Sequence, residues 1–305
     1  MRWAGIEVQG PIIDTMIAAP LLNENRRFYN LNSLTGEYLG EYKNEKMLKA
    51  AAAMYHVDPK SDMWRLPSKF VGSYAEQDAA VTLRLWDRLR VDIKKDEVTS
   101  IFELESSLLP VLLEMKTKGV RVDTDGAEQI QIELSKREKE LLKEIRSDTG
   151  VSIEPWSAAS VAKAFDALGL KYHRTENSNA PSFTKQFLSN HTHPIAQKIV
   201  KLREFNKANT TFVETILEHS CNGRIHCDFN PLRSDEGGTV TGRFSSSNPN
   251  LQQIPARDPE IKSMIRGLFI PEEGTKWGSF DYASQEPRWL AHYCAQLTGV
   301  HRHPQ

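Results

Sequence analysis

The strongest constraint on this chain lies near its end, where a loop-forming stretch is followed by a strand-to-helix pattern. Thr239 to Pro255 reads TVTGRFSSSNPNLQQIP: small, polar, punctuated by Gly242 and carrying one arginine, Arg243. Such a composition predicts a loop or irregular turn that can bring backbone close to a ligand. From Trp277 the residues alternate up to Phe280 and then reach Asp281. Beyond it, Leu290, Tyr293, Cys294 and Leu297 recur at helical spacing. The expectation is a strand that delivers Asp281 at its end, then a helix capped by Ser284. Pro287 would sit in the first turn, where backbone N–H groups lack partners anyway. Asp281 beside the carbonyl of Tyr282 suits a hard cation held through oxygen. A cap or turn role for Asp281 fits the same position.

Taken together, TGRFSSSNPNLQQIP and DYASQEPR resemble the palm of the family A DNA polymerases, the bacterial DNA polymerase I-like group. The family's versions read TGRLSSxxPNLQNIP and DYSQIELR. The resemblance implies that Arg243 reaches the primer terminus and its minor groove, a task suited to a permanent charge with forked donors. It aligns Asp281 with the metal-binding aspartate, Glu286 with the residue that blocks a ribose 2′-hydroxyl, and Arg288 with the closing arginine. Ala283, Ser284, Gln285 and Pro287 depart from the commonest form, while the spacing from Asp281 to Glu286 and Arg288 is kept. Phage-type members carry comparable Gln-Glu-Pro-Arg variants. Gln252 and Gln253 offer amides that could meet base edges or sugars; a turn role serves them equally.

Further upstream, Gly72 to Trp86 has a helical pattern that places Tyr74 and Asp78 on one face, four residues apart. A phenol and a carboxylate so placed could orient a water and hold a metal ion; a solvated helix edge explains an isolated pair as well. DTMIAAPLLN followed by YAEQDAAVTLRLW resembles the C-terminal half of the family's proofreading 3′–5′ exonuclease domain, whose third motif has this Tyr-xxx-Asp form. The family also needs an early Asp-x-Glu, which residues 1–73 do not contain. Ile12-Ile13 is expected to end a strand, with Asp14 or Thr15 capping the next helix.

Between these regions an amphipathic helix over Glu103–Lys118 is expected to stop at Gly119 before a short extended piece. A long charged helix should run from about Thr124 to Ser147, with Leu134, Leu141 and Ile145 as its apolar stripe and Glu133 paired to Arg137. Lys136-Arg137-Glu138-Lys139-Glu140 is a solvated face. Trp156 to Phe165 is similar to the family's short thumb helix with a serine cap, and 177–181 is a loop. Lys198, Lys201, Arg203 and Lys207 fall close together, with Glu204 among them. On a helix they could track a phosphate backbone or lie solvated. Asn209 and Thr210 begin a segment that stands where the family has Ser-Thr-Tyr near DNA. His191 and His193 flank Thr192 in a loop and are expected to be exposed, not ligands. Arg224 to Pro231 alternates like the family's first palm strand.

Composition sets bounds. The chain has 305 residues, 39% hydrophobic, enough for two domains or more, and a formal net charge of −1, so any DNA contact must come from local clusters. Cys221, Cys227 and Cys294 form no CxxC, and the odd count points to reduced thiols in a cytosolic setting; the resemblance implies the cytoplasm of a bacterial or phage-infected host cell. The apolar start is broken by Asp14 and carries only Arg2 as a positive charge, unlike a signal peptide. No run approaches the length of a membrane span.

The expected fold is therefore α/β and α+β in several domains. A partial ribonuclease H-like exonuclease domain covers 1–95, a mainly helical thumb covers 96–225, and the start of the palm covers 226–305. The resemblance implies a DNA-directed DNA polymerase, a nucleotidyltransferase acting on primer-template DNA and deoxynucleoside triphosphates with Mg²⁺. A non-catalytic primer-template-binding module is the alternative. The family's two metals sit roughly 3.5–4 Å apart and need a later His-Asp-Glu motif and a fingers helix, neither of which follows Arg288 here. A second polypeptide could supply both. Arg243, Lys198, Lys201, Arg203, Lys207, Asn209, Thr210, Gln252 and Gln253 are the candidate DNA contacts. Asp281, Tyr282 and Asp78 are the candidate metal ligands, and Asp281, Arg288 and Tyr74 the candidate catalytic groups.

Overall fold

The computed structural model describes residues 5–6, 8–235, 237–256 and 258–299. Arg2 and residues 300–305 of the expected palm lie outside that range. The described residues are mostly helical, with a few short strands. Two compact units separate at residues 269 and 270, and each is described by itself.

In the first unit, α1 (Thr15–Leu22), α2 (Leu31–Leu39) and α3 (Lys46–Tyr55) pack on the long α4 (Ser68–Lys95). Asp14 caps α1, its carboxylate accepting from the Met16 N–H at 2.8 Å. The residues before it, 8–14, form no strand. Val81, Leu85, Leu89 and Ile93 of α4 are buried at four-residue steps, a spacing that keeps one helix face on the core. Ile17, Ala18, Ala19, Leu34 and the fully buried Tyr29 complete that core.

α5 (Thr99–Lys118) ends at Gly119, whose φ of +64° turns the chain into β1 (Val120–Arg121). A Cβ there would stand 2.7 Å from Nδ1 of His226 and 2.8 Å from the Ile225 carbonyl, so only glycine permits the turn. α6 (Thr124–Thr149) is capped by Asp123 and carries the expected Glu133–Arg137 pair at 2.7 Å. Leu134 and Ile145 are both fully buried, but in two different cores. α7 (Ala158–Ala167) begins at Ser157, which caps it through the Ser160 N–H.

A hairpin of β2 (His173–Arg174) and β3 (Pro181–Ser182) leads through α8 (Lys185–Asn190) to α9 (Pro194–Lys207). The core at that end holds Phe165, Phe183, Ile195, Ile199 and Leu202. His191 and His193 are half-buried rather than exposed: His191 packs edge-on to Phe165 and Phe187, and His193 caps α9 through the Ile195 N–H. Both are structural. α9 continues into a π-helical turn over Ala208–Val213 and then α10 (Glu214–His219).

β4 (Ser220–Cys221) and β5 (Arg224–Ile225) form a hairpin whose Asn222 and Gly223 both have positive φ, the backbone requirement of the tight turns that suit strand twist. β5 also pairs with β1, giving an antiparallel sheet in the order β1-β5-β4. The expected single strand over Arg224–Pro231 is thus broken: β5 ends at Ile225, and β6 (Asp228–Asn230) pairs instead with β7 (Ser245–Ser247). α11 (Pro259–Gly267) seals the base core with Ile261 and Ile265.

In the second unit, α12 (Gln285–Thr298) has Pro287 in its first turn, as expected, but Ser284 makes no side-chain cap and adopts φ +55°. Residues 276–282 form no strand, and Phe280 is 97% exposed. A strand needs a ladder partner for its N–H and C=O groups, and no strand ladder among the described residues includes this segment. None of the described residues of α12 is buried either. Among the described residues no helix is long and apolar enough to cross a membrane. Cys221, Cys227 and Cys294 are free thiols, and burial pushes the Cys227 thiol up.

Candidate nucleic-acid and metal sites

The loop over Thr239–Pro255 is held in shape by its own polar atoms. Asn230 Nδ2 donates to the hydroxyls of Ser245 and Ser247 at 3.3 and 3.2 Å across the β6–β7 pair. Asn248 Nδ2 donates to Asp228 at 2.9 Å, and Lys116 Nζ binds the other oxygen of that carboxylate. Burial acts to raise Asp228, but the ammonium and the amide outweigh it and hold its carboxyl below the usual range. Ser246 is buried, and its hydroxyl donates to the Pro249 carbonyl at 3.2 Å.

This framing sets the loop across a cleft from the π-helical turn and α10. Thr211, Phe212, Thr215 and His219 line one side; Asn248, Asn250, Leu251 and Gln253 line the other, around about 270 Å³. The two motifs read separately in the sequence are therefore two walls of one cleft. Gln253 points an exposed amide there. Gln252 has the turn role, its Nε2 donating to the Phe244 carbonyl at 2.9 Å. Arg243 is exposed at the loop's far end, and Thr239 Oγ1 donates to its carbonyl at 2.8 Å.

The basic cluster on α9 is largely committed within the protein. Lys198 lies 2.8 Å from both Glu144 and Asp148 of α6, which raise its pKa. Lys201 sits 3.4 Å from Glu260. Arg203 donates to the carbonyls of Pro155 and Phe183 at 2.7 Å each and stacks 5.4 Å above the Trp156 ring. Burial lowers the pKa of its guanidinium. Lys207 is exposed and makes no ion pair among the described residues. It borders a groove of about 580 Å³ with Trp156, Lys185 and Glu204. Asn209 is buried, donating to Ser135 Oγ at 3.3 Å, so it is a packing residue of the π-helical turn. Thr210 is exposed, its hydroxyl turned back onto the Asn206 carbonyl.

Tyr74 and Asp78 share one face of α4, as their spacing requires, and a third group joins them. Lys43, on the loop between α2 and α3, places Nζ 2.8 Å from the Tyr74 hydroxyl and 3.0 and 2.9 Å from the two oxygens of Asp78. Burial acts to lower the Lys43 pKa, but the hydrogen bonds that its ammonium donates to Tyr74 and Asp78, with the carboxylate's charge, outweigh it and raise it. Asp78 Oδ1, sealed from solvent, accepts no well-directed hydrogen bond and is held by the ammonium's charge alone. Nothing in the local sequence signals Lys43: it is one lysine in a polar loop, thirty-one residues before Tyr74.

Asp281, Tyr282, Glu286 and Arg288 all lie on the exposed entry to α12, with Glu286 in its first turn. An acid suits that end of the helix dipole. Asp281 and the Tyr282 carbonyl offer oxygen donors to a hard cation. Among the described residues, however, no group of three or more acids, histidines or cysteines could hold a metal ion. These donors alone do not fit a two-metal centre.

A family model described as DNA polymerase family A matches residues 124–298, and one described as 3′-5′ exonuclease matches residues 2–94. A DNA-directed DNA polymerase of Pseudomonas phage M6 is 39% identical over 290 residues, covering 92% of this chain and 43% of that protein. DNA polymerase I of Bacillus subtilis is 30% identical over 305 residues, covering 96% of this chain and 32% of its own length. Among solved structures, the POL domain of Pol1 from M. smegmatis, in complex with DNA primer-template and dNTP, superposes with a TM-score of 0.71. The identity is 25%, over 95% of this chain and 47% of that one. The chain spans 43–49% of the length of the phage relatives it matches.

Proposed function

Because the chain belongs to DNA polymerase family A, we propose that it is part of a DNA-directed DNA polymerase that extends a DNA primer on a template during replication. Residues 1–95 are its exonuclease-like portion, 96–225 its thumb and 226–305 the first part of its palm. The observation that carries the reading is the cleft between Thr211–Phe212 and Asn248–Gln253. It joins the thumb's base to the loop that bears Arg243, so one duplex can touch both. Lys207, Thr210, Gln253 and Arg243 are exposed in this region and are the contacts assigned to primer-template DNA. Lys198 and Arg203 hold the thumb in shape, since their charges are met by α6 and by backbone carbonyls, while Lys201 is exposed beside Glu260.

Polymerase and exonuclease domains of this family use divalent metal ions. The ion here is Mg²⁺, for which Asp281 and the Tyr282 carbonyl supply part of a ligand set that needs further carboxylates. Glu286 screens the sugar of an incoming deoxynucleoside triphosphate, and Arg288 steadies the same segment. Fingers and the remaining palm come from further polypeptide, in the same protein or a second one. The compartment is the cytoplasm of a bacterium or a phage-infected cell.

Anisotropy of a fluorescent recessed primer-template, titrated with the 305-residue chain, tests the reading. Binding should weaken steeply with salt, because phosphate contacts release counterions, and should weaken again in Arg243→Ala. Salt-independent binding, or none, would remove its basis.

A further inference from the structure

The pair formed by Tyr74 and Asp78 already holds a cation, and that cation is part of the chain. Lys43 Nζ stands nearly equidistant from the two Asp78 oxygens, at 2.9 and 3.0 Å, and 2.8 Å from the Tyr74 hydroxyl. It also lies 4.6 Å from the centre of the Tyr74 ring. An ion bound in a bidentate manner by the same carboxylate would occupy that side of it.

The lysine is not a surface chain that happens to fall there. Its side chain is only 10% exposed. Its loop is fixed at three further points: the Lys43 N–H donates to Asn32 Oδ1 at 3.0 Å, the Asn44 N–H donates to Gln77 Oε1 at 3.1 Å, and Glu41 pairs with Arg84. Two of these anchors, Gln77 and Arg84, belong to α4 itself. The helix that presents the carboxylate therefore also fixes the ammonium against it.

A divalent ion coordinates carboxylate oxygen at about 2.0–2.6 Å. On this face of Asp78 it would meet the ammonium within a few ångströms, and like charges so close repel strongly where solvent is scarce. A lysine has no lone pair to offer the ion while protonated. The Tyr74–Asp78 group as it stands does not fit a metal, and the obstacle is a built-in one.

We propose that Lys43 is an internal counter-ion that excludes divalent metal from Asp78, so that metal enters this site only if the Lys43 side chain is displaced. Its relevance to proofreading rests on reading Tyr74 and Asp78 as exonuclease residues. The test below measures metal binding alone and holds or fails independently of any nuclease activity.

Terbium luminescence excited through tyrosine reports a lanthanide ion close to a phenol, and Tyr74 is the sensitiser at this site. The full chain would be titrated with Tb³⁺ as wild type, Asp78→Asn, Lys43→Gln, Lys43→Arg and Lys43→Gln/Asp78→Asn, with circular dichroism confirming that each is folded. Lys43→Gln should gain a sensitised site at least tenfold tighter than any in wild type. That gain should vanish in the double variant and be displaced by excess Mg²⁺. Lys43→Arg, which keeps the charge, should resemble wild type, and wild type should match Asp78→Asn. An Asp78-dependent Tb³⁺ site of equal strength in wild type and Lys43→Gln would overturn the proposal. So would the absence of any Asp78-dependent gain in folded Lys43→Gln, or a gain in Lys43→Arg equal to that in Lys43→Gln.

Discussion

Arg203 and Lys207 are one helical turn apart on α9, yet the same substitution should do different things to each. The Arg203 guanidinium is half-buried, and Pro155 and Phe183 give it their carbonyls. Arg203→Ala leaves both carbonyls short of a donor, and charged hydrogen bonds of that kind are worth about 1.5–3 kcal/mol each. We expect a loss of about 2–3 kcal/mol in urea unfolding, with little change in the salt slope of DNA binding. Lys207 is exposed and holds nothing together. Lys207→Ala should leave stability within about 0.5 kcal/mol and reduce the salt slope of primer-template binding by roughly one phosphate's share, about 0.9. A slope unchanged in Lys207→Ala would mean that the lysine is only solvated. No sequence pattern separates these two residues, since both are basic residues on a helix; what separates them is where the Trp156 segment and Phe183 fold back.

At the scale of elements, the Lys116–Asp228 pair ties α5 to β6, and its worth should depend on pH. The carboxyl of Asp228 is depressed in the folded chain, from an ordinary value of 3.8. Its contribution is therefore fully present above that value and lost as pH falls through the lower, folded value. Asp228→Asn should cost up to about 1 kcal/mol near neutrality, the range for partly exposed ion pairs. The cost should fade in denaturant melts run progressively below pH 3.8; a cost that persists there would place its origin in packing. Several helices were legible from sequence because they carry a local code: a helical apolar pattern in α4, an apolar stripe in α6, a serine cap on α7 and Gly119 after α5; α2, α3 and α11, set in polar sequence, were not. The strands were not. β6 exists because Ser245–Ser247 comes back to meet it from fifteen residues away, and residues 277–280, expected to end a strand, form none. One local signal was passed over: Asn222-Gly223 is a hairpin turn that divides the supposed single strand from what precedes it. The candidate site followed the same rule. Tyr74 and Asp78 were visible as a helix face, whereas Lys43 arrives through a loop whose course only tertiary contacts fix.

For the whole molecule, the role proposed for Asp281 makes primer extension depend on further carboxylates, and among the described residues no group of three or more acids, histidines or cysteines could hold a metal ion. Adding a separately expressed segment that carries a fingers helix and the His-Asp-Glu motif should restore extension, followed on a sequencing gel. Asp281→Ala should then abolish it, and Glu286→Ala should keep it while admitting ribonucleotides more readily. Sustained extension by the 305-residue chain by itself would overturn this division of labour. The base of the thumb has its own consequence. β1 and β5 pair Val120 with Ile225, so the chain leaves for α6 and returns from α10 at adjacent positions. Everything between is a closed excursion with its ends already fastened; the core around Phe165 is filled from within it, whereas the core around Leu134 is shared with Ile225, Cys227, Ile261, Ile265 and Leu268. Such a segment can be shortened or exchanged at its far end, where the core is its own, while the base it shares with α11 stays in place. It can also be opened anew at the exposed tip near residues 176–179 and its old ends, which pair at Arg121 and Arg224, joined by a short turn, giving a permuted chain that keeps the same neighbours in a different order.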